Sequence, residues 1–165
     1  MPWHRNTRTE KRNVSPATIK ADNSKSNLMS RVRSKNTTPE MSVRAALHAR
    51  GFRYRLHQKS LPGSPDLALP RYRLAVFVHG CFWHGCRDCD RGRRRPKSNT
   101  TFWETKLASN RARDAKNILA LRQLGWRVAV IWECVVRDHM RLRNAIDELV
   151  ATCESPTHEY DASRV

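Results

Sequence analysis

No apolar run in the 165-residue chain approaches the ~20 residues of a membrane-spanning helix, and no signal-peptide core follows Met1. A membrane partner is therefore not expected, and the chain should be soluble and cytoplasmic. Acidic residues are scarce, with 15 Asp and Glu against 32 Lys and Arg and a formal net charge of +17. The surplus is spread along most of the chain, so the whole surface should attract a polyanion, nucleic acid first. Aliphatic residues are scarce in residues 1–27, with Val14, Ala17 and Ile19 among the few. Such a stretch cannot bury enough surface to repay its ordering and reads as a flexible basic arm, either a solvated tail or a grip on phosphate. There is no internal repeat. Five cysteines, an odd number in a reducing compartment, do not make a disulfide framework. Metal ligation is the better account of them.

The rest is expected to form one folded domain over residues 28–152, with a tail over 153–165. The string LMSRVRSKN (28–36) reads as a short helix or ordered arm. Thr38, Pro39 and Glu40 supply a cap, a first-turn proline and a first-turn carboxylate, predicting a helix to about Arg50 that Gly51 ends. FRYRLH (52–57) has the alternation of a half-buried strand with one outward basic face. The turn SLPGSP delivers Asp66 to a short strand, Asp66 to Leu69, antiparallel to the apolar strand Arg73 to His79. Residues 87–101 read as a basic loop. A helix from Trp103 to Leu124 carries Trp103, Leu107, Asn110, Asp114, Asn117 and Leu121 on one stripe. WRVAVIW (126–132) reads as a central strand and residues from Arg137 to about Cys153 as a surface helix. The sum is an α/β fold, a mixed sheet flanked by helices.

Chemistry concentrates in RLAVFVHGCFWHGCRDC (73–89). Cys81, Cys86 and Cys89 have the spacing C-x4-C-x2-C, and Cys134 ends a distant strand; four thiolates would close a tetrahedral, structural Zn²⁺ site. A redox pair at Cys86 and Cys89 is the weaker alternative. Asp66 at a strand start, beside backbone carbonyls, is what Mg²⁺ accepts, and His79 or His84 could move a proton. The dull readings stand beside this one: a turn cap, a strand-end histidine, a zinc ligand. Asn110 and Asp114, polar on an apolar stripe, point to a working cleft. Phe82, Trp83 and Trp103 are candidates for rings driven between base pairs. Arg93, Arg94, Arg95 and Lys97 form the densest charge run, a solvated face or a phosphate contact.

In order along residues 28 to 137, SLPGSPD, FVHGCFWHGC, FW, NRARD and LGWRVAVIWEC resemble the very-short-patch (Vsr) mismatch-repair endonucleases. The resemblance implies a restriction-endonuclease-like core and Mg²⁺-dependent nicking of double-stranded DNA, 5′ of the T in a T:G mismatch left by deamination of 5-methylcytosine. Such a nick leaves a 5′-phosphate and a 3′-hydroxyl. It makes Asp66 the catalytic Mg²⁺ ligand with the Val78 carbonyl beside it, and His79 and His84 the active-site histidines. Glu40 and Asp114 match supporting acids, with Asn110 close by at the DNA, and Phe82, Trp83 and Trp103 match the wedge. Cys81, Cys86, Cys89 and Cys134 match the Zn²⁺ ligands, although some relatives use a histidine there, so His84 and Cys86 compete for one place. Where relatives carry threonine, this chain has Val78. The expected partners are T:G-mismatched DNA and mismatch-repair proteins, met by a monomer associated with the nucleoid. Two rivals stay open: a restriction-like or structure-selective nuclease of the same fold, and a zinc-stabilised DNA-binding module without catalysis.

Overall fold

The computed structural model describes residues 35–154. The basic arm, most of the 28–36 string and the chain beyond residue 154 lie outside the described residues. Helix α1 spans Thr38–Ala49, and its cap falls one residue earlier than the Thr38 predicted. Thr37 is the N-cap, accepting from the Glu40 amide at 3.5 Å, while its hydroxyl donates to Glu40 Oε1 at 2.9 Å. Gly51, at φ 81°, turns the chain out of the helix as the sequence indicates.

Four strands follow: β1 (Arg55–Leu56), β2 (Leu67–Leu69), β3 (Leu74–His79) and, much later, β4 (Arg127–Trp132). The sheet order is β1-β2-β3-β4, antiparallel for the first two pairs and parallel between β3 and β4. The Asp66 hairpin forms as expected, with Leu67 opposite Val76 and Leu69 opposite Leu74. Two expectations need correction. The strand expected over 52–57 shrinks to Arg55–Leu56, because His57 takes a left-handed φ of 44° that breaks the alternation. The strand of WRVAVIW is β4 at the edge of the sheet, while β3 is central, since β4 pairs only with β3 among the described residues.

Between β3 and β4 come one-turn helices α2 (Cys81–His84) and α3 (Asp90–Arg93), then the long α4 (Thr100–Gln123). The cysteine turn is thus partly helical, and so is the loop expected over 87–101. After β4 come α5 (Glu133–Val136) and α6 (His139–Glu154). The period-2 strands divide the core between the two sheet faces. Leu67, Leu69, Leu74 and Val76 pack with Val43 and Leu47 of α1 and Ile146 and Leu149 of α6. Ala68 and Ala75 face the other way, with Leu121 of α4, Leu61, Phe77, Trp126 and Val128. The result is an α/β sheet with helices on both sides, as expected. Cys153, assigned by sequence to the start of the tail, is buried in the first of these cores.

Candidate active site

Asp66 is placed by its entry turn. Leu61 and Pro65 are buried, Gly63 and Ser64 take positive φ of 72° and 47°, and the Ser64 amide closes onto the Leu61 carbonyl at 3.0 Å. A Cβ on Gly63 would lie 2.8 Å from the Asn117 side-chain nitrogen, so the turn sits directly on α4. Asp66 then meets β3: its Oδ2 accepts the Val78 amide at 2.7 Å. Its other oxygen, Oδ1, faces His57 Nδ1 at 3.8 Å. Burial pushes the Asp66 carboxyl above its ordinary range, the Val78 amide opposes that, and the charge of Glu40 adds a smaller push. A half-buried carboxylate with one oxygen tied and one open suits a hard cation, whose charge would offset the cost of burial.

Glu40 and His57 stand beside Asp66, the three offering ligand atoms within 4.8 Å of one another. Glu40, at 3% exposure, is already saturated. Its Oε2 accepts from the Asn36 amide at 2.9 Å and from Arg44 at 3.0 Å, and its Oε1 from the Thr37 hydroxyl. Its lone pairs serve the pocket wall, which fits a supporting acid better than a metal ligand.

One residue along β3, a second group assembles. His79, 8% exposed, stacks on His84 with ring centroids 3.9 Å apart and planes 12° from parallel. His84 Nδ1 lies 2.5 Å from Asp114 Oδ2, so α4 supplies the carboxylate that orients the ring. With Nδ1–H donated to Asp114, Nε2 of His84 is left as a lone pair for a proton. Burial first, and then the neighbouring His84, lower the His79 pKa to about 4. A ring in that state is uncharged at neutral pH and can lie flat against a second imidazole. Trp132, at the end of β4, closes the other side edge-on, 5.4 Å from His79.

Cys81, Cys86, Cys89 and Cys134 bring their sulfurs within 4.8 Å of one another, with Cys86 and Cys134 Sγ atoms 3.8 Å apart. Tetrahedral Zn²⁺ with bonds of about 2.3 Å requires sulfurs separated by about 3.8 Å, far beyond a disulfide bond. The donor set therefore fits zinc. Cys86 stands with the other three sulfurs, and His84 is engaged with Asp114. Backbone amides support the thiols: Cys134 N–H donates to Cys81 Sγ at 3.2 Å and Gly92 N–H to Cys89 Sγ at 3.4 Å. Glu133 ties the loop down by accepting from the Cys81 amide and from Arg91 and Arg137.

The candidate wedge is a cluster rather than separate exposed rings. Phe82 lies 5.2 Å from Trp83 and 5.3 Å from Trp103, all three partly buried. Phe102 adds a fourth ring 5.5 Å from Trp103 and is 57% exposed. Asn110 is 6% exposed, and its amide donates to the Trp83 carbonyl at 2.9 Å. It holds α2 from beneath. Arg93, Arg94, Arg95 and Lys97 are exposed; Arg93 pairs with Asp90 at 2.7 Å, and Arg95 caps the Gly92 and Arg94 carbonyls.

A family model described as DNA mismatch endonuclease Vsr matches residues 18–91. The type II nicking enzyme V.XorIIP of Xanthomonas oryzae is 52% identical over 124 residues, 73% of this chain and 90% of the relative. The chain belongs to the Vsr family. V.NmeAIP of Neisseria meningitidis, also named a type II nicking enzyme, is 43% identical over 123 residues, 74% of this chain and 86% of the relative. The DNA mismatch endonuclease Vsr of Escherichia coli is 37% identical over 114 residues, 69% of this chain and 72% of its own. The Vsr model reaches back to residue 18, into the stretch read as a basic arm.

Three residues of this Vsr-family site escaped sequence reasoning. His57 was assigned to an outward basic face by strict alternation, which its positive φ invalidates. Arg44 drew no attention in the sequence, yet it is 6% exposed and bridges Glu40 and His57. The available signal was its i, i+4 spacing from Glu40 on the same face as Val43 and Leu47. Trp132 lies in the expected strand WRVAVIW, and alternation alone does not show that its ring lines the histidine pair.

Proposed function

We propose that the protein is a Mg²⁺-dependent endonuclease that nicks one strand of double-stranded DNA 5′ of the T in a T:G mismatch arising from 5-methylcytosine deamination. The observation that carries this reading is the meeting of two groups at the C-terminal end of β3. Asp66 is tied to Val78, and the His79, His84 and Asp114 relay begins at the next residue. Such a strand end, with helices on both faces, suits a restriction-endonuclease-like core. The names of the relatives, mismatch endonuclease and nicking enzymes, support strand nicking at mismatched DNA.

Asp66 Oδ1 and the Val78 carbonyl would hold Mg²⁺, which supplies charge neutralisation and an activated water when bound. His84 Nε2 accepts the proton of the attacking water, and Asp114 stabilises the imidazolium that forms. His79, uncharged and stacked, keeps His84 in plane and excludes solvent from its face. Asp66, His84 and Asp114 thus do the chemistry, while Glu40 braces the pocket. The nick leaves a 5′-phosphate and a 3′-hydroxyl.

Phe82, Trp83 and Trp103 act as the wedge. A wobble pair is cheaper to unstack than a Watson–Crick pair, so an aromatic cluster on a rigid turn selects it by deformability. Cys81, Cys86, Cys89 and Cys134 would hold Zn²⁺, which would make that turn rigid and take no part in the cut. Asn110, Arg93, Arg94, Arg95 and Lys97 complete the DNA side, the first by bracing Trp83 and the others through phosphates. The enzyme acts as a cytoplasmic monomer on nucleoid DNA. Nicking of two end-labelled duplexes that differ only in T:G against T:A tests the specificity. A Mg²⁺-dependent cut of the T:G duplex alone is expected, and equal cutting of both would reduce the reading to a less specific nuclease.

A further inference from the structure

We propose that His57 is a positioning residue of the cutting site: Arg44 fixes its tautomer, and the resulting Nδ1–H faces and electrostatically biases the open oxygen of Asp66. The inference rests on the reading of Asp66 as the cation-binding carboxylate.

The placement begins with the backbone. His57 follows β1, and its amide reaches the Asp66 carbonyl at 3.4 Å, extending the register that pairs Leu56 with Leu67. In a regular strand the side chain would alternate outward. A φ of 44°, which disfavours any residue with a Cβ, instead accompanies an imidazole turned to the Asp66 side. The surrounding contacts hold this strained non-glycine backbone beside the half-buried Asp66 carboxylate.

The tautomer follows from hydrogen-bond chemistry. Arg44 NH2 lies 3.0 Å from His57 Nε2 and 3.0 Å from Glu40 Oε2. A guanidinium nitrogen only donates. One of its hydrogens therefore goes to Glu40 and the other to His57 Nε2, which must be the accepting lone pair. Glu40 Oε2 also faces Nε2, but at 3.8 Å it is the poorer partner. The ring proton then resides on Nδ1, which faces Asp66 Oδ1 at 3.8 Å. Val78 N–H already holds Oδ2. Only the Val78 contact is a hydrogen bond; at 3.8 Å the His57 Nδ1–H acts on Oδ1 as a directed dipole, biasing the open oxygen towards its side.

The same geometry argues against His57 as a ligand. Ligation through Nδ1 would move the proton to Nε2, against the Arg44 hydrogen. Arg44 could yield only by leaving Glu40 inside a pocket where the two residues are 6% and 3% exposed. Arg44 Nε already lacks a partner among the described residues, and Asn36 Oδ1 already receives NH1 at 2.7 Å. The network has no spare acceptor to absorb the change.

Two substitutions separate the two ends of the ring. Asparagine keeps a donor near Nδ1 and loses the acceptor for Arg44; glutamine keeps an acceptor near Nε2 and loses the donor facing Asp66. Mn²⁺ affinity of the zinc-loaded full-length protein, read by electron paramagnetic resonance, is compared with melting temperature. His57→Gln should weaken Mn²⁺ binding about 10-fold or more with little change in melting temperature. His57→Asn should keep Mn²⁺ affinity within about 3-fold and lower the melting temperature instead. Equal loss of affinity in both, loss in neither, or loss in His57→Asn alone overturns the assignment. Asp66→Ala, measured alongside, tests the underlying reading separately: if it binds Mn²⁺ like the wild type, the reading of Asp66 itself falls.

Discussion

Replacing Gly92 with alanine puts two effects of opposite sign in competition. Gly92 lies in the one-turn helix α3 with no positive φ, so backbone freedom does not require glycine there. Helix propensity alone makes the substitution stabilising by about 1 kcal/mol. The added Cβ, however, would lie 2.0 Å from the Cys86 carbonyl oxygen and 2.7 Å from both the Cys86 carbonyl carbon and Cβ. An ordinary C···O contact is well above 3 Å, so the backbone of a residue in the cysteine cluster must move by about 1 Å. Overpacking of this kind costs about 3 kcal/mol, leaving a net loss of about 2 kcal/mol after the propensity gain. At roughly 2–8 °C per kcal/mol, the melting temperature should fall by at least about 4 °C. Zinc content per chain should fall with it, because Cys86 and Cys89 flank the displaced segment. The assay is calorimetry beside metal analysis on protein purified without added zinc. An unchanged or raised melting temperature with full zinc occupancy would refute the packing argument. Gly51→Ala is the control: its φ of 81° strains any side chain, but nothing lies within 4 Å, so stability should drop without loss of zinc.

Asp114→Asn should keep the fold and DNA binding but lower the nicking rate by about 10²–10⁴-fold, because the amide no longer selects the Nδ1–H tautomer of His84; single-turnover kinetics on a T:G duplex would show it, and a rate within a few-fold of wild type would exclude the relay. The His79 shift predicts an acid-sensitive fold. With the folded pKa near 4 against 6.5 when unfolded, the unfolded chain binds more protons between those values. Stability from this ring is therefore full above pH 6.5 and is lost as pH falls through 4, by about 3 kcal/mol in all. Asp66, whose pKa is raised, works in the opposite direction, so the comparison to make is urea denaturation of wild type against His79→Asn. The same pH slope in both would refute the assignment.

What the sequence made legible was whatever local chemistry decides. The β-branched run before His79 had to be a strand, the SLPGSPD turn had to deliver Asp66 to it, and the stripe on α4 placed Asn110 and Asp114 against Trp83 and His84 of α2. The cysteine spacing grouped Cys81, Cys86 and Cys89, and the strand-end position of Cys134 added the fourth, because two strand ends of a parallel pair lie side by side. What escaped was set by tertiary contacts. Nothing local shows that β4 stays at the sheet edge, that Asn110 turns its amide to the Trp83 carbonyl, or that Arg44 is a buried bridge. His57 was misread because alternation assumes an extended backbone, and a single left-handed residue reverses which way a side chain points. The short helices α2 and α3 lack any periodic signal, being single turns set by cysteine geometry and capping amides.

The central claim is that strand scission belongs to Asp66 and mismatch binding to the surface around it. The most direct measurement compares wild type with Asp66→Ala on one T:G duplex labelled on both strands, reading nicking and binding in the same samples with Mg²⁺. Nicking of one strand by wild type only, with binding of similar affinity by both proteins, is the expected result. Residual nicking by Asp66→Ala within about 10-fold of wild type would contradict the account, since loss of an essential metal carboxylate costs far more than that.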